Sequence, residues 1–173
     1  MNVLGYDTIG ANLTGTYTAP AQLGCKFTAS ASDTFDSVKV WLQAGSVSGN
    51  FKVALYSDSA GIPDALLYSS ASSGVLTTTG AWVSCPLSGS IVSGTDYWIL
   101  VSCDTDFIMP YDGGGSNQTF DDYTAYPTFN NPYGVGAPDN YYAAAISIYL
   151  DKTIATTTIK GLATIKGIAT LKL

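Results

Sequence analysis

Apolar and polar residues alternate in short runs along the chain, and this period of two predicts β-strands. In the run from 35 to 42, Val38, Val40 and Leu42 fall on one face. Lys39 and Trp41 fall on the other face. Further strand signals, separated by turn-rich segments such as 44–50 and 57–64, lie at 51–56, 66–69, 81–85, 97–103 and 143–150.

The pattern as a whole predicts an all-β fold. Residues 97–103 are apolar on both faces, which is typical of a central strand covered on two sides. No window carries the i, i+3, i+4, i+7 stripe of an amphipathic helix. We therefore expect residues 1–152 to form an antiparallel β-sandwich or jelly roll.

One segment, residues 111–142, interrupts this periodicity and is rich in Gly, Asn, Asp, Pro and aromatic residues. A stretch of this length within a compact domain is usually a functional loop or a packed Ω-loop. Its tyrosines could stack on sugar rings while carboxylates bind the hydroxyls, or they could pack onto the sandwich or form a subunit interface. The candidate ligand residues are Tyr111, Asp112, Tyr123, Tyr126, Tyr133 and Tyr141.

The last 21 residues, 153–173, contain a six-residue repeat and form a candidate assembly arm. The repeat allows two arrangements, because six is divisible by both two and three. Read by twos, it is an extended strand with one smooth apolar side; read by threes, it gives the apolar row of a β-helical or triple-stranded fibre. That row consists of Ile159, Leu162, Ile165, Ile168 and Leu171, and the basic residues of the repeat are Lys160, Lys166 and Lys172.

An isolated strand cannot satisfy its own backbone hydrogen bonds, so the arm must pair with its own body, with copies of itself or with another chain. Charge is unevenly placed between the two parts. All 13 aspartates and four of the seven lysines lie in residues 1–152, so this part carries −9 and the arm +3. Opposite charges favour docking of the arm on a neighbouring copy, although lysines on an exposed strand can also serve only to keep it soluble.

The composition offers few side chains for catalysis. Every acid is Asp and every base is Lys, so the chain lacks His, Glu and Arg, the residues most used in acid–base and phosphate chemistry. The pairs Asp104/Asp106 and Asp121/Asp122 are weak calcium candidates, which we expect to lie in loops where Asp is a common turn residue. We expect no cofactor and no nucleic-acid partner, because the acidic body repels phosphates.

The chain has three cysteines, an odd number, and none of them forms a CxxC motif: Cys25, Cys85 and Cys103. We therefore expect buried thiols rather than a disulfide framework or a zinc site. One pair could still bridge in an oxidising setting. No apolar run is long enough for a membrane helix, and the first residues do not resemble a secretory signal.

Two stretches resemble known proteins. Residues 55–63 (LYSDSAGIP), Trp82 and residues 94–98 (GTDYW), within 5–103, resemble a β-sandwich module of phage structural proteins and of prokaryotic surface proteins. The hallmark of that module is an IYSDxxGxP turn followed by a Trp and a GxxYW strand, and it carries no catalytic residues. Residues 156–165 (TTTIKGLATI) are similar to the short TTxxIxGxAxI repeats of phage-like virion proteins.

These resemblances imply a non-enzymatic virion structural protein, either a capsid decoration or a tail-associated subunit. Its expected partners are copies of itself and other virion proteins. A lectin-like module that binds carbohydrate through residues 111–142 is the alternative, and a subunit of a cell surface or extracellular filament is a third hypothesis.

Overall fold

The fold is described from a computed structural model of the 173-residue chain. The structure describes residues 1–114, 119–133, 140–142 and 144–154, with only the backbone described for 140–142. Residues 155–173, which hold the whole repeat, lie outside the described residues. The described residues thus comprise most of the body and the first two residues of the predicted arm.

The described residues form strands and no helix, as the alternation of apolar and polar residues predicts. The described part of the chain therefore has no helix that could cross a membrane. The fifteen strands are β1 (Asn2–Gly5), β2 (Asn12–Leu13), β3 (Ala21–Thr28), β4 (Asp33–Ala44), β5 (Gly49–Ser59), β6 (Ile62–Ser69), β7 (Gly74–Leu76), β8 (Ala81–Ile91), β9 (Asp96–Cys103), β10 (Phe107–Ile108), β11 (Pro110–Gly113), β12 (Thr119–Asp122), β13 (Asn140–Tyr142), β14 (Ala144–Ile146) and β15 (Ile148–Asp151).

Two curled antiparallel sheets and a small third sheet form a half-barrel, consistent with the expected β-sandwich. The five-stranded sheet has the order β1-β15-β4-β10, with β8 paired to the other edge of β4. The seven-stranded sheet has the order β13-β12-β3-β9-β5-β6, with β7 also paired to β5. The three-stranded sheet has the order β14-β11-β2.

The main hydrophobic core lies between the facing sides of the sheets. In β4, Val38, Val40 and Leu42 are fully buried, whereas Lys39 and Trp41 are only half-buried on the opposite side. The predicted division of this strand into two faces is confirmed. Alternate residues of the facing strands β5 and β9 complete this core with Phe51, Val53, Leu55, Ile99 and Val101.

The central strand β9 is buried on both faces, as its continuous apolar sequence predicts. It lies between β3 and β5 in the seven-stranded sheet. On the side away from the main core, Trp98 and Leu100 pack against Phe120 and Tyr133 in a second cluster. The rings of Trp98 and Phe120 lie 5.2 Å apart in an edge-to-face arrangement. The segment that follows β12 therefore covers the outer face of this sheet.

The predicted loop at 57–64 is much tighter than expected. Ser59 of β5 pairs directly with Ile62 of β6, which leaves only Ala60 and Gly61 to reverse the chain. Both residues have positive φ angles, 54° and 85°. Such a turn matches the right-handed twist of a hairpin, and the Gly61 amide donates a hydrogen bond to Asp58 Oδ2 at 3.1 Å.

The expectation of a single long loop at 111–142 is wrong. Strands β11 and β12 lie within it, and the backbone of β13 pairs with β12. Strand β12 pairs with β3 over four residues, so this part extends the seven-stranded sheet. The sequence of this segment alternates only weakly, so it did not predict these strands. They form by pairing with partners that are distant along the chain.

The expected last body strand, 143–150, is divided into two at Ser147. Strand β14 before it belongs to the three-stranded sheet and β15 after it to the five-stranded sheet. The Ser147 hydroxyl donates to the Thr8 carbonyl and accepts from the Gly10 amide. These bonds hold the chain at the point where it passes from one sheet to the other.

The three cysteines are buried and free, as predicted. Burial raises the pKa of the Cys25 thiol to about 11 and that of Cys103 well above its ordinary value. Both thiols are therefore neutral near pH 7 and poorly nucleophilic.

We expect Gly61→Ala to lower the free energy of unfolding by about 1–2 kcal/mol, because an L-residue is strained at φ 85°. The matched control is Gly15→Ala, where an added Cβ meets no atom within 4 Å. This control should change stability by less than about 1 kcal/mol. Equal losses in urea unfolding of the two variants would contradict the assigned turn.

We expect Ellman's reagent to label the native thiols at least about tenfold more slowly than those of the unfolded chain, since all three are buried out of reach of the reagent. All three thiols should react in denaturant without reductant. Recovery of only one thiol under those conditions would show that a pair is bridged.

Candidate functional site

The point where the arm leaves the body is the first candidate site. Of the predicted arm, only Thr153 and Ile154 are described. The apolar residues Ile159, Leu162, Ile165, Ile168 and Leu171 and the basic residues Lys160, Lys166 and Lys172 lie outside the described residues.

Five residues, which we call the exit clasp, fix the end of the body: Asp33, Asp36, Asp151, Lys152 and Thr153. Strand β15 ends at Asp151 between its neighbours β1 and β4. The Lys152 ammonium lies 2.6 Å from Asp33 Oδ1, and the Thr153 amide donates to Asp36 Oδ2 at 2.8 Å. Both aspartates belong to β4, so the chain is held on the neighbouring strand as it leaves the sheet.

Buried Asp151 is the best-sheltered carboxylate of the clasp. Its Oδ2 lies 3.0 Å from Lys39 Nζ, and its Oδ1 accepts a hydrogen bond from the Met1 ammonium. Burial by itself raises the pKa of Asp151, but these two cationic donors outweigh burial and lower it. Asp151 is therefore ionised at neutral pH while buried.

The two other carboxylates of the clasp are also held in the ionised form. The hydrogen bond from Lys152 lowers the pKa of Asp33, and the hydrogen bond from the Thr153 amide lowers that of Asp36. One residue beyond Thr153, the side chain of Ile154 is 68% exposed. The arm thus begins at the surface, directly after a polar anchor. Sequence reasoning missed Asp33 and Asp36, because their partners lie more than a hundred residues away.

The candidate ligand residues of 111–142 do not lie together on one open surface. Tyr133 is only 1% exposed, and its hydroxyl donates to Asp122 Oδ2 at 2.7 Å. It is a core residue rather than a ligand contact. Tyr123 is 58% exposed, whereas the Tyr126 hydroxyl is bonded to Ser73 Oγ at 2.7 Å. The side chain of Tyr141 lies outside the described residues.

The remaining two candidates, Tyr111 and Asp112, lie in β11. Tyr111 lines a cavity of about 350 Å³ together with Tyr17, Thr14 and Ile146. Asp112 accepts hydrogen bonds from the Tyr6 hydroxyl and, at 2.8 Å, from the Ala11 amide. The bond from Tyr6 is the main reason that the pKa of Asp112 is lowered. Asp112 therefore anchors the N-terminal segment.

The weak calcium candidates are mostly engaged in local structure. Asp104 accepts two hydrogen bonds from Asn50, and Asp106 accepts one from the Ala19 amide. Both lie between β9 and β10 as expected, but Asp121 and Asp122 lie in β12 and not in a loop, which corrects the expectation. Among the described residues, no three His, Cys, Asp or Glu side chains group closely enough to hold a metal ion.

Comparison with known proteins gives no further assignment, since neither a protein-family model nor a curated protein matches this chain.

We expect the body to lose stability as the pH falls below about 4, because Asp33, Asp36 and Asp151 have lowered pKa values in the folded state. Such carboxylates stabilise the fold above their unfolded-state pKa, and this contribution is lost as the pH falls through the folded-state value. The melting temperature measured between about pH 3 and pH 7 should fall at the acid end.

The double variant Asp33→Asn/Asp36→Asn should melt lower at neutral pH and show a smaller acid-induced decrease. Asp7→Asn/Asp64→Asn, at two exposed positions, is the charge-matched control and should keep the profile of the unaltered chain. An unchanged profile in the double variant would mean that the clasp does not contribute to stability.

Proposed function

We propose that this chain is a non-enzymatic structural subunit of a phage virion, a capsid decoration or a tail-associated protein. Its body would project from the particle, and residues 153–173 would join it to copies of itself and to other virion proteins. The observation that carries the proposal is the exit clasp, because it holds the chain on the body up to Thr153, directly before the exposed Ile154.

The repeat supports an assembly role on physical grounds. Its sequence has the apolar periodicity of a strand, and a strand needs a partner for its backbone groups. Strand addition between subunits supplies those hydrogen bonds and buries the apolar side. The arm carries three lysines and no acid, so it is attracted to an acidic body of another copy.

Aspartates are the only side-chain carboxylates available for a catalytic site, and several of them accept hydrogen bonds that hold the fold together. Asp104 orders Asn50, Asp122 accepts from Tyr133, and Asp58 accepts from Trp98 Nε1 at 2.8 Å. Carboxylates held in this way are poor candidates for a hydrolytic pair, which needs access to substrate. A structural role accounts for these contacts without further assumptions.

The proposal is tested by truncation after Ile154, which keeps the exit clasp and removes residues 155–173. We expect the truncated chain to show the same β-sheet circular dichroism as the full chain but to sediment as a monomer. The full chain should form larger species with increasing concentration. Equal assembly of the two chains, or a monomeric full chain, would contradict the proposal.

Two paired variants distinguish the arrangements of the arm. Leu162→Ser/Ile168→Ser alters the row of threes but spares the apolar side expected for an extended strand, whereas Ile159→Ser/Ile165→Ser alters both. For an extended strand, only the second pair should weaken association, by roughly 100-fold, since two buried aliphatic side chains contribute about 3 kcal/mol or more. For a fibre with a period of three, both pairs should weaken it.

A further inference from the structure

Three aromatic side chains lie on the outer side of the five-stranded sheet, and we call Trp41, Trp82 and Tyr149 the aromatic face. Trp41 of β4 and Trp82 of β8 are directly opposite each other. Tyr149 of β15 is opposite Lys39, which lies two residues before Trp41 on the same side of β4. All three rings are half-buried and point away from the main core.

The rings are held in place by their neighbours. The centroids of Trp82 and Tyr149 are 5.3 Å apart at an interplanar angle of 68°. Since β8 and β15 flank β4, these two side chains meet over the middle strand. The Trp41 ring lies on Gly80, where an added Cβ would come within 2.0 Å of the ring. A ligand that binds here therefore meets fixed rings, so little conformational entropy is lost.

Polar groups surround the rings. Lys39 Nζ lies 3.0 Å from Asp151 Oδ2, and its remaining N–H groups are donors beside Tyr149. Ser84, opposite Lys39 on β8, is exposed, and Gln43 lies two residues beyond Trp41 on the same side of β4. The outward positions of β4 from Ser37 to Gln43 include no aliphatic side chain.

From this arrangement we infer that the aromatic face binds a neutral polysaccharide. The C–H surface of a pyranose ring packs on an indole ring, and hydroxyls on its rim pair with nearby donors and acceptors. Trp41 and Trp82 supply the stacking rings, and Lys39 and Ser84 supply polar partners. Apart from half-buried Ile108, opposite Gln43 on β10, the outward neighbours of the rings along β4 are polar, which favours a hydroxylated ligand.

Charge selects a neutral ligand over an anionic one. Lys39 is already paired with Asp151, so it does not present a free positive charge. Residues 1–152 carry thirteen aspartates against four lysines, and their negative field repels acidic polysaccharides. This site is separate from residues 111–142 and does not depend on the proposed role of the arm.

The test is affinity electrophoresis of the full chain through gels containing a soluble β-glucan, a mannan, a galactan or, as an anionic probe, alginate. We expect at least one neutral polysaccharide to retard the chain and alginate to have no effect. The same ligand should change tryptophan fluorescence, because two of the three tryptophans lie on this face whereas Trp98 is buried.

Trp82→Ala should weaken the retardation at least tenfold, and Trp82→Phe should weaken it less. Tyr123→Ala, an exposed aromatic of the 111–142 segment, is the matched control and should bind as the unaltered chain does. Circular dichroism establishes whether each variant is folded. If Trp82→Ala does not fold, Trp82→Phe replaces it as the test variant. The inference is overturned if none of the neutral polysaccharides retards the chain, or if the folded Trp82 variants bind as the unaltered chain does.

Discussion

The placement of β15 between β1 and β4 is the constraint on which the rest of the body depends. Four residues near the end of the described chain supply the hydrogen bonds for both neighbouring strands. Ile148 and Leu150 of this strand enter the main core, while Tyr149 lies on the outer side and Asp151 begins the exit clasp. One short strand thus completes the sheet, contributes to the core and positions both candidate sites.

Because of this arrangement, the five-stranded sheet is complete only when β1 has paired with β15. Strand β1 has no partner in the five-stranded sheet until β15 is present, and the two are separated by nearly the whole body. Pairing over such a distance is slow, because a long loop must be closed before any hydrogen bond forms. The exit clasp joins β4 to the residues directly after β15, so it depends on the same long-range pairing.

The sequence predicted those parts of the fold that depend on local alternation. Val38, Val40 and Leu42 identify the inner side of β4, and the apolar run at 97–103 identifies the central strand β9. What it could not predict depends on distant partners. Strand β12 pairs with β3 nearly a hundred residues earlier, so its Asp and Phe residues looked like loop residues. Ser147 divides an alternating run only because Thr8 and Gly10 bind its side chain.

The same distinction applies to the candidate sites. Alternation placed Trp41 and Lys39 on the outer side of β4, but nothing local indicates that Trp82 and Tyr149 converge there from strands on either side. The exit clasp likewise joins Asp33 and Asp36 to residues at the other end of the body. The aromatic-rich segment, for which the sequence left ligand binding and packing onto the sandwich open, contributes Phe120 and Tyr133 to the second cluster.

The outer sides of the two large sheets carry different side chains, and this difference explains why the chain covers the outer side of the seven-stranded sheet. On the seven-stranded sheet, Leu100 and Ala54 are apolar, and exposing them to water would be unfavourable unless the chain folded over them. On the five-stranded sheet, the corresponding positions hold Lys39, Trp41 and Tyr149. Tyr and Trp combine an apolar ring with a polar group, so they tolerate partial exposure while keeping surface for a ligand. The chain therefore covers the apolar outer side of the seven-stranded sheet with its own residues 120–133, whereas Trp41, Trp82 and Tyr149 stay half-buried.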